Sequence, residues 1–259
     1  MKTIFRFDHF TGALRASNLP VSVNAECHAG LSRLDASLRA TFWRWELGAL
    51  AILIASFNLP LLFGHPALDF MLHPAAVRAG EWWRVLTHPF VHVSWYHLAL
   101  DAAAFFLGYV ELGERRFVER LLIVVASGAG SLLAAVFAAS AIEAHGLCGL
   151  SGIAHGLTAV VALELMRNET DRLIRASALV FFLVVVGKSI VEAMTDNILF
   201  ASWHLGSLGT PIAVCHAGGV LGALFAWLCA LARTTPAEAD PARLAQTPPA
   251  ELGCPLHQT

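Results

Sequence analysis

The sequence has little charge, only two tyrosines and no paired cysteines. Lys, Arg, Asp and Glu make up 14% of its 259 residues, whereas soluble domains carry about 25%. This low fraction excludes a disordered chain and a soluble enzyme of ordinary composition. The net charge of -2 excludes the basic surface that nucleic-acid binding needs. The five cysteines form no C-x-x-C pair, so neither a disulfide framework nor a zinc motif is predicted.

Long apolar runs dominate the chain instead. Hydrophobic residues make up 57% of it, and the mean hydropathy is +0.64. Six runs are long enough to cross roughly 30 Å of hydrocarbon, which predicts an all-α polytopic membrane protein with six transmembrane helices. The runs cover about residues 47–63, 95–110, 121–142, 150–166, 176–194 and 211–232.

Basic residues are concentrated in alternate connections. Most of the 17 Lys and Arg residues lie before the first run, after the second, after the fourth and after the sixth, whereas 143–149 and 195–210 contain none. Because cytoplasmic loops retain an excess of Lys and Arg, both termini are predicted to be cytoplasmic. The connections between runs three and four and between runs five and six are then predicted to face outward.

The core is predicted to comprise residues 41–232. Residues 1–40 and 233–259 contain too few periodic apolar positions to form a core of their own. They are interpreted as a cytosolic N-terminal extension and a flexible cytosolic tail. The long connection 64–94 is rich in aromatic residues, which predicts that it lies in the outer membrane interface.

A serine between glycines stands at the outer start of the fourth run, in Gly149-Leu-Ser151-Gly152. Glycines let a substrate backbone approach closely, and the N–H groups of a first helical turn can donate to an oxyanion. This pattern predicts a nucleophilic serine. The alternative is a small-residue packing motif, because Gly152 and Gly156 also form G-x-x-x-G.

His216 lies about six residues into the sixth run and is the candidate base for Ser151. Gly218 and Gly222 give this run a small-residue face, and we expect that face to pack against the glycines of the fourth run. Ser151 and His216 would then meet at a similar depth. Such a pair can perform nucleophilic catalysis without a third carboxylate.

Two further pairs of polar residues occur inside the runs. His97 and Asp101 are four residues apart and share one helical face, with His97 at the level of Ser151. Lys188 and Glu192 have the same spacing, and they are interpreted as an ion pair whose members neutralise each other inside the membrane.

Three ordered motifs resemble the rhomboid intramembrane serine proteases: residues 81–98 (EWWRVLTHPFVHVSWYHL), Gly149–Gly152, and His216-Ala-Gly-Gly. The resemblance covers about residues 41–232. It implies a six-helix rhomboid-like bundle, a lipid bilayer environment, a transmembrane protein as substrate, and neither cofactor nor metal. It also implies a bacterial inner-membrane protein with its active site toward the periplasm.

The resemblance also implies roles for individual residues. Ser151 falls on the nucleophile of the family and His216 on its general base. The residues that form or support the oxyanion hole are His97, Asp101, Gly149, Gly152 and His155, and those that brace the first loop are Trp83 and Arg84. We expect the connection between runs five and six to cover the site, with Ile198, Leu199, Phe200 and Trp203.

Two positions depart from the family pattern. Asp101 stands where the family commonly has an asparagine that donates to the oxyanion. It must therefore be protonated, or orient His97, or leave the oxyanion to other donors. His155 stands where many members have an aromatic residue. Together with Lys188 and Glu192, it is similar to the rhombosortase branch, whose substrates carry a C-terminal Gly-Gly motif, a transmembrane helix and a basic end.

Two other functions are compatible with these residues. An inactive rhomboid-like protein could bind membrane clients, with Asp101 as the sign of a damaged oxyanion hole. A metal or proton transporter could use the many histidines, although they show no repeated ligand spacing. The histidines concerned are His88, His92, His97, His145, His155 and His204.

Overall fold

The computed structural model of the chain describes residues 43, 45–113, 115–199 and 201–234. The predicted N-terminal extension 1–40 and nearly all of the predicted tail 233–259 lie outside these residues. Within them the protein is helical, with one isolated antiparallel bridge between Leu72 and Leu147 and no strand. The predicted all-α class is therefore confirmed.

In the part of the chain that the structure describes, six long helices and three short ones follow one another. The long helices are α1 (Trp45–Phe63), α4 (Trp95–Glu111), α5 (Phe117–Ala138), α7 (Ser151–Asn168), α8 (Arg172–Thr195) and α9 (Val214–Thr234). The short helices lie in the connections and are α2 (Pro74–Arg78), α3 (Trp83–Thr87) and α6 (Ile142–His145).

The chain divides into two units, and the division falls within α1. The first unit ends at Leu53, and its described residues form the beginning of α1, with Trp45 and Ile52 exposed. The second unit begins at Ile54. It contains the other helices and all the polar motifs discussed above.

Four helices of the described chain are long and apolar enough to cross a membrane: α1, α5, α8 and α9. A fifth is added if the broken pair Trp83–Phe90 and Trp95–Glu111, bent by 90°, counts as one span. In α7, nine of 18 residues are buried, against four of 24 in α8, so α7 is surrounded mainly by protein. Each predicted apolar run coincides with a helix, while the count of six crossings stays a prediction.

Small residues bring α9 into close contact with α5. A Cβ atom on Gly218 would overlap the carbonyl oxygen of Gly130, and one on Gly222 would overlap that of Ala126. The expectation that these two glycines face α7 is therefore wrong. Successive residues of a helix are about 100° apart, and the spacing alone did not show which of two adjacent faces meets which neighbour.

The neighbouring face of α9 is the one that packs against α7. A Cβ on Gly219 would overlap the carbonyl oxygen of Gly152, and one on Gly156 would lie 2.6 Å from the carbonyl oxygen of Gly219. The Ser127 hydroxyl of α5 donates to the same Gly219 oxygen at 2.9 Å. Three helices thus meet at a point where their backbones are nearly in contact.

The connection between α1 and α4 is attached to the rest of the protein at two points. Asn58 of α1 donates to the Phe90 carbonyl at 2.7 Å and accepts from the backbone N–H of His92 at 3.0 Å. Backbone hydrogen bonds of 3.0 and 2.8 Å join Leu72 to Leu147. Through Leu147, the connection therefore fixes the position of the segment that leads into α7.

A second polar group lies at the opposite end of α7. Glu164 accepts hydrogen bonds from Arg115 and from the indole of Trp227, and from Asn168 at 2.9 Å. It is 13 residues from the start of α7, or about 20 Å at ~1.5 Å per residue. This group ties α7 to α9 far from Ser151.

The glycine contacts predict a difference between two Gly→Ala variants. Gly222→Ala should destabilise the protein by about 1–3 kcal/mol, because the added methyl group overlaps the backbone of α5. Gly187→Ala of α8 is the control, because a Cβ there has nothing within 4 Å and alanine favours the helix. Thermal unfolding in detergent checks both. Equal midpoints for the two variants would contradict the close approach of α5 and α9.

Candidate active site

A glycine with an unusual backbone precedes the candidate nucleophile. Gly149 has a φ of +98°, a conformation that side chains disfavour, and its N–H donates to the carbonyl of His88 at 3.1 Å. A Cβ at this position would lie 2.8 Å from His97 Nε2 and 2.7 Å from Asp101 Oδ2. Because Gly149 fits closely against both side chains, α7 can begin at Ser151 beside them.

One cavity of about 440 Å³ contains the predicted polar residues of three helices. Ser151 and His155 of α7, His97 and Asp101 of α4, and His216 of α9 all line it. These residues are separated by up to 119 positions in the chain, and the helix packing brings them together. The structure therefore brings Ser151, His216 and His97 into one cavity, as the sequence predicts.

Ser151 and His216 are not joined by a direct hydrogen bond in this structure. Among the described residues, the partner of the Ser151 hydroxyl is Cys215 Sγ at 3.9 Å. The ring of His155 stacks on that of His216, with centroids 4.0 Å apart and an angle of 11°. Catalytic hydrogen bonds are often long without substrate and shorten when it binds.

A buried carboxylate contacts the ring of His216 and was missed as a site residue. The Glu192 side chain is 0% exposed, and its Oε2 accepts from His216 Nδ1 at 2.8 Å. The same oxygen accepts from Lys188 Nζ at 2.7 Å, and Oε1 accepts from the backbone N–H of Leu199 at 2.8 Å. The predicted Lys188–Glu192 ion pair exists, but it is part of a larger network.

The partners fix which nitrogen of each ring carries the proton. The Ser151 carbonyl can only accept, so His155 Nδ1 donates to it at 2.7 Å, and His155 Nε2 accepts from the Lys188 ammonium at 3.0 Å. A carboxylate also only accepts, so the hydrogen between Glu192 and His216 is on His216 Nδ1. In neutral His216 the lone pair is therefore on Nε2, where a base needs it.

The Asp101 carboxylate lies between two histidines. Its Oδ2 is 3.2 Å from His97 Nε2 and 3.4 Å from His92 Nε2, which are ion-pair distances without aligned hydrogen bonds. His92 was not predicted as a site residue. Its backbone and ring are held by Asn58 of α1 at 3.0 and 3.3 Å. The contact with His97 supports the interpretation in which Asp101 orients that ring.

Trp83 and Arg84 lie outside the cavity and contact the loop that forms one of its walls. The Trp83 indole donates to the Asp69 carbonyl at 3.2 Å. Arg84 is buried, and its guanidinium donates to the Glu81 carboxylate at 2.6 Å and to the Met71 carbonyl at 2.9 Å. Because Met71 lines the cavity, these contacts position a wall of the site.

The connection between α8 and α9 lies over the cavity, with residues that differ in part from those expected. Ile198 lines the cavity as predicted, and His204 and Leu208 line it as well. Trp203 is 75% exposed and is not among the lining residues, and Phe200 lies outside the described part of the chain. The Tyr96 hydroxyl contacts His204 Nδ1 at 3.2 Å, which joins this connection to α4.

Three groups at and behind the cavity wall are close enough to share a metal ion. His155, Glu192 and His216 place one ligand atom each within 4.8 Å of the others. Lys188 Nζ already contacts two of them, at 3.0 and 2.7 Å. Because the ammonium group supplies the positive charge that the carboxylate needs, the residues do not fit a resident divalent cation, which would have to compete with it.

A family model described as the rhomboid domain matches residues 79–233, a range that includes every site residue predicted from the sequence. A search of curated proteins found no significant match.

The cavity also predicts the reactivity of Cys148, three residues before Ser151. Burial raises the pKa of the Cys148 thiol to about 12, and the nearby Asp101 carboxylate adds to the shift. At pH 8 only about one thiol in 10⁴ is then ionised, against about a quarter at the ordinary pKa of ~8.5. We expect Cys148 to resist iodoacetamide at pH 8 in the folded protein and to react after denaturation in SDS. Peptide mass spectrometry measures both, and rapid labelling of the folded protein would contradict the prediction.

Proposed function

The chain belongs to the rhomboid family, and on this basis we propose that it is a serine endopeptidase that cleaves membrane-anchored proteins in or near their transmembrane segment. Ser151 is the proposed nucleophile and His216 its general base. The observation that carries the proposal is the cavity that Ser151 and His216 line together, with the Nδ1 hydrogen of His216 donated to Glu192 at 2.8 Å and Nε2 left as the acceptor. In this tautomer His216 can take a proton from Ser151.

The proposed reaction begins with proton transfer from the Ser151 hydroxyl to His216 Nε2. Ser151 Oγ attacks the scissile carbonyl, and the C=O electron pair moves to oxygen to form a tetrahedral oxyanion. Collapse of this intermediate breaks the C–N bond as His216 returns the proton to the leaving amine. Water then attacks the acyl-enzyme with His216 again as base, which releases the acid and restores Ser151.

Two sets of donors support the oxyanion in this proposal. The first is the N–H groups in the opening turn of α7, which have no partner within a helix. The second is His97, whose Nδ1 is buried with no partner among the described residues. A neutral His97 that gives its Nε2 proton toward Asp101 cannot also donate from Nδ1. Asp101 is the group that balances the positive charge when both nitrogens are protonated.

The proposed substrates are transmembrane proteins, and we extend the proposal to C-terminal signals of the Gly-Gly type. The residues that carry the resemblance to rhombosortases include His155 and Lys188, and both line the cavity. The proposed location is the bacterial inner membrane with the cavity toward the periplasm, in agreement with the distribution of basic residues. A lipid bilayer is the proposed environment.

Labelling with a fluorophosphonate probe tests the nucleophile and the base. We expect the detergent-solubilised protein to be labelled, and we expect Ser151→Ala to abolish labelling because the attacking oxygen is gone. His216→Ala should reduce the labelling rate by at least about 10³-fold, the size of effect seen when one member of a catalytic serine site is removed. Labelling that persists in Ser151→Ala would show that another residue reacts.

The variant Asp101→Asn, measured in the same labelling assay, distinguishes an active protease from an inactive protein that binds membrane clients. If Asp101 balances the charge of His97, this variant should label about 10- to 100-fold more slowly, as expected for the loss of one charge-assisted contact. If the folded wild type never labels but Asp101→Asn does, the carboxylate disables the oxyanion hole. An inactive protein that binds membrane clients would then be the better description.

A reporter protein tests the proposed substrate class. We expect cleavage of a fusion that ends in a Gly-Gly motif, a transmembrane helix and a basic segment, because the resemblance to rhombosortases implies this order of elements. Replacement of both glycines by valine should reduce cleavage, and immunoblotting of the released product measures it. A wild type that cleaves both fusions equally would support a general rhomboid protease rather than this narrower class.

A further inference from the structure

We propose that Glu192 is the positioning residue of the catalytic base, so that the site operates as a Ser151–His216–Glu192 group rather than as a serine–histidine dyad. This inference rests on the proposed function and adds a third residue to it. It arises from the geometry, because the sequence assigned Glu192 only to a pair with Lys188. His216 and Glu192 are 24 residues apart and lie on consecutive helices.

The position of the carboxylate is the first argument. Glu192 is three residues from the end of α8, and His216 is the third residue of α9, so the antiparallel helices place them at the same depth. The Glu192 side chain is 0% exposed and that of His216 is 8% exposed. Burial of a carboxylate costs several kcal/mol unless it is paired and hydrogen-bonded, and His216 is one of the groups that offset this cost.

The direction of the contacts is the second argument. Three donors from three segments hold Glu192: Lys188 on α8, His216 on α9, and the Leu199 N–H in the connection between them. They occupy both oxygens, so the carboxylate cannot turn without losing one of them. An ion pair that served only to neutralise Lys188 would not need an oxygen shared with His216 at 2.8 Å.

The chemistry of the base is the third argument. A carboxylate on Nδ1 keeps the lone pair of His216 on Nε2, and it stabilises the imidazolium that forms when Ser151 gives up its proton. Lys188 completes the arrangement from the other side. It bonds Glu192 and also His155 Nε2 at 3.0 Å, and the His155 ring stacks on His216. Two contacts orient the His216 ring, the hydrogen bond to Glu192 and the stacking of His155. Both therefore depend on the Lys188–Glu192 pair.

The kinetics of fluorophosphonate labelling test this role in the intact protein. Saturation of the rate with probe gives a maximal labelling rate and a probe dissociation constant. Glu192→Gln should lower the maximal rate by about 10²- to 10⁴-fold, with the dissociation constant changed less than about threefold. The amide presents a donor where Lys188, His216 and Leu199 also donate, so the correct tautomer of His216 is no longer enforced.

Glu164→Gln is the matched control. Glu164 is a partly buried carboxylate that, like Glu192, accepts from several donors, but it lies at the far end of α7. We expect this variant to lower the thermal midpoint and to leave the maximal labelling rate within about threefold of the wild type. If both Glu→Gln variants reduce labelling equally, the loss is structural and the inference is overturned.

A double variant separates positioning from charge neutralisation. Lys188→Met/Glu192→Gln leaves no unpaired buried charge, so it should fold even if Glu192→Gln alone does not. If Glu192 positions His216, the double variant regains the wild-type thermal midpoint but keeps the low labelling rate. If the pair only neutralises itself, the double variant regains both, and the inference is wrong.

The outcomes distinguish this inference from the proposed function. If the wild type is not labelled at Ser151, the proposed function itself fails, whatever Glu192 does. If the wild type is labelled at Ser151 and Glu192→Gln matches its maximal rate, the serine–histidine dyad stands and Glu192 has no positioning role.

Discussion

Glu192 carries a charge in a place where water cannot solvate it, and the structure around the cavity supplies the donors that make this burial possible. Lys188 lies one turn earlier on the same helix, His216 lies on the next helix, and Leu199 lies in the chain between them. Because a buried carboxylate without such partners is strongly unfavourable, α8, α9 and their connection must keep a fixed mutual arrangement. The orientation of His216 is a consequence of that constraint.

The depth at which Ser151 and His216 meet depends on a second constraint, the near contact of three helix backbones. Gly219 of α9 has the Gly152 carbonyl of α7 in the place of a side chain, and the Ser127 hydroxyl of α5 bonds the Gly219 carbonyl at 2.9 Å. Without a hydrophobic effect to join helices in lipid, such close packing and interhelical hydrogen bonds hold them together. The glycines near Ser151 therefore serve packing, and this role is compatible with the proposed approach of a substrate.

The sequence predicts the local features of this protein well and its long-range contacts only in part. Apolar runs predict where the long helices lie, because hydrocarbon thickness sets their length. The packing face of α9 was assigned to Gly218 and Gly222 instead of Gly219, because adjacent faces of one helix carry the same small residues. Glu192 was missed as a neighbour of His216, because its spacing from Lys188 already offered a complete local explanation. Glu192 and His216 lie at similar distances along the sequence from the α8–α9 connection. This was the signal that could have paired the two residues.

Asp101 and Glu192 occupy equivalent positions with respect to the proposed chemistry. Each carboxylate lies behind an imidazole that lines the cavity, Asp101 beside His97 at 3.2 Å and Glu192 beside His216 at 2.8 Å. The difference is the third partner: Glu192 has the Lys188 ammonium, whereas Asp101 has the ring of His92 at 3.4 Å. The Lys188 ammonium contacts Glu192 independently of His216, so a neutral His216 does not leave that carboxylate without an ionic partner. Among the described residues, the groups within ion-pair distance of Asp101 are the rings of His97 and His92, so no lysine or arginine accompanies this carboxylate.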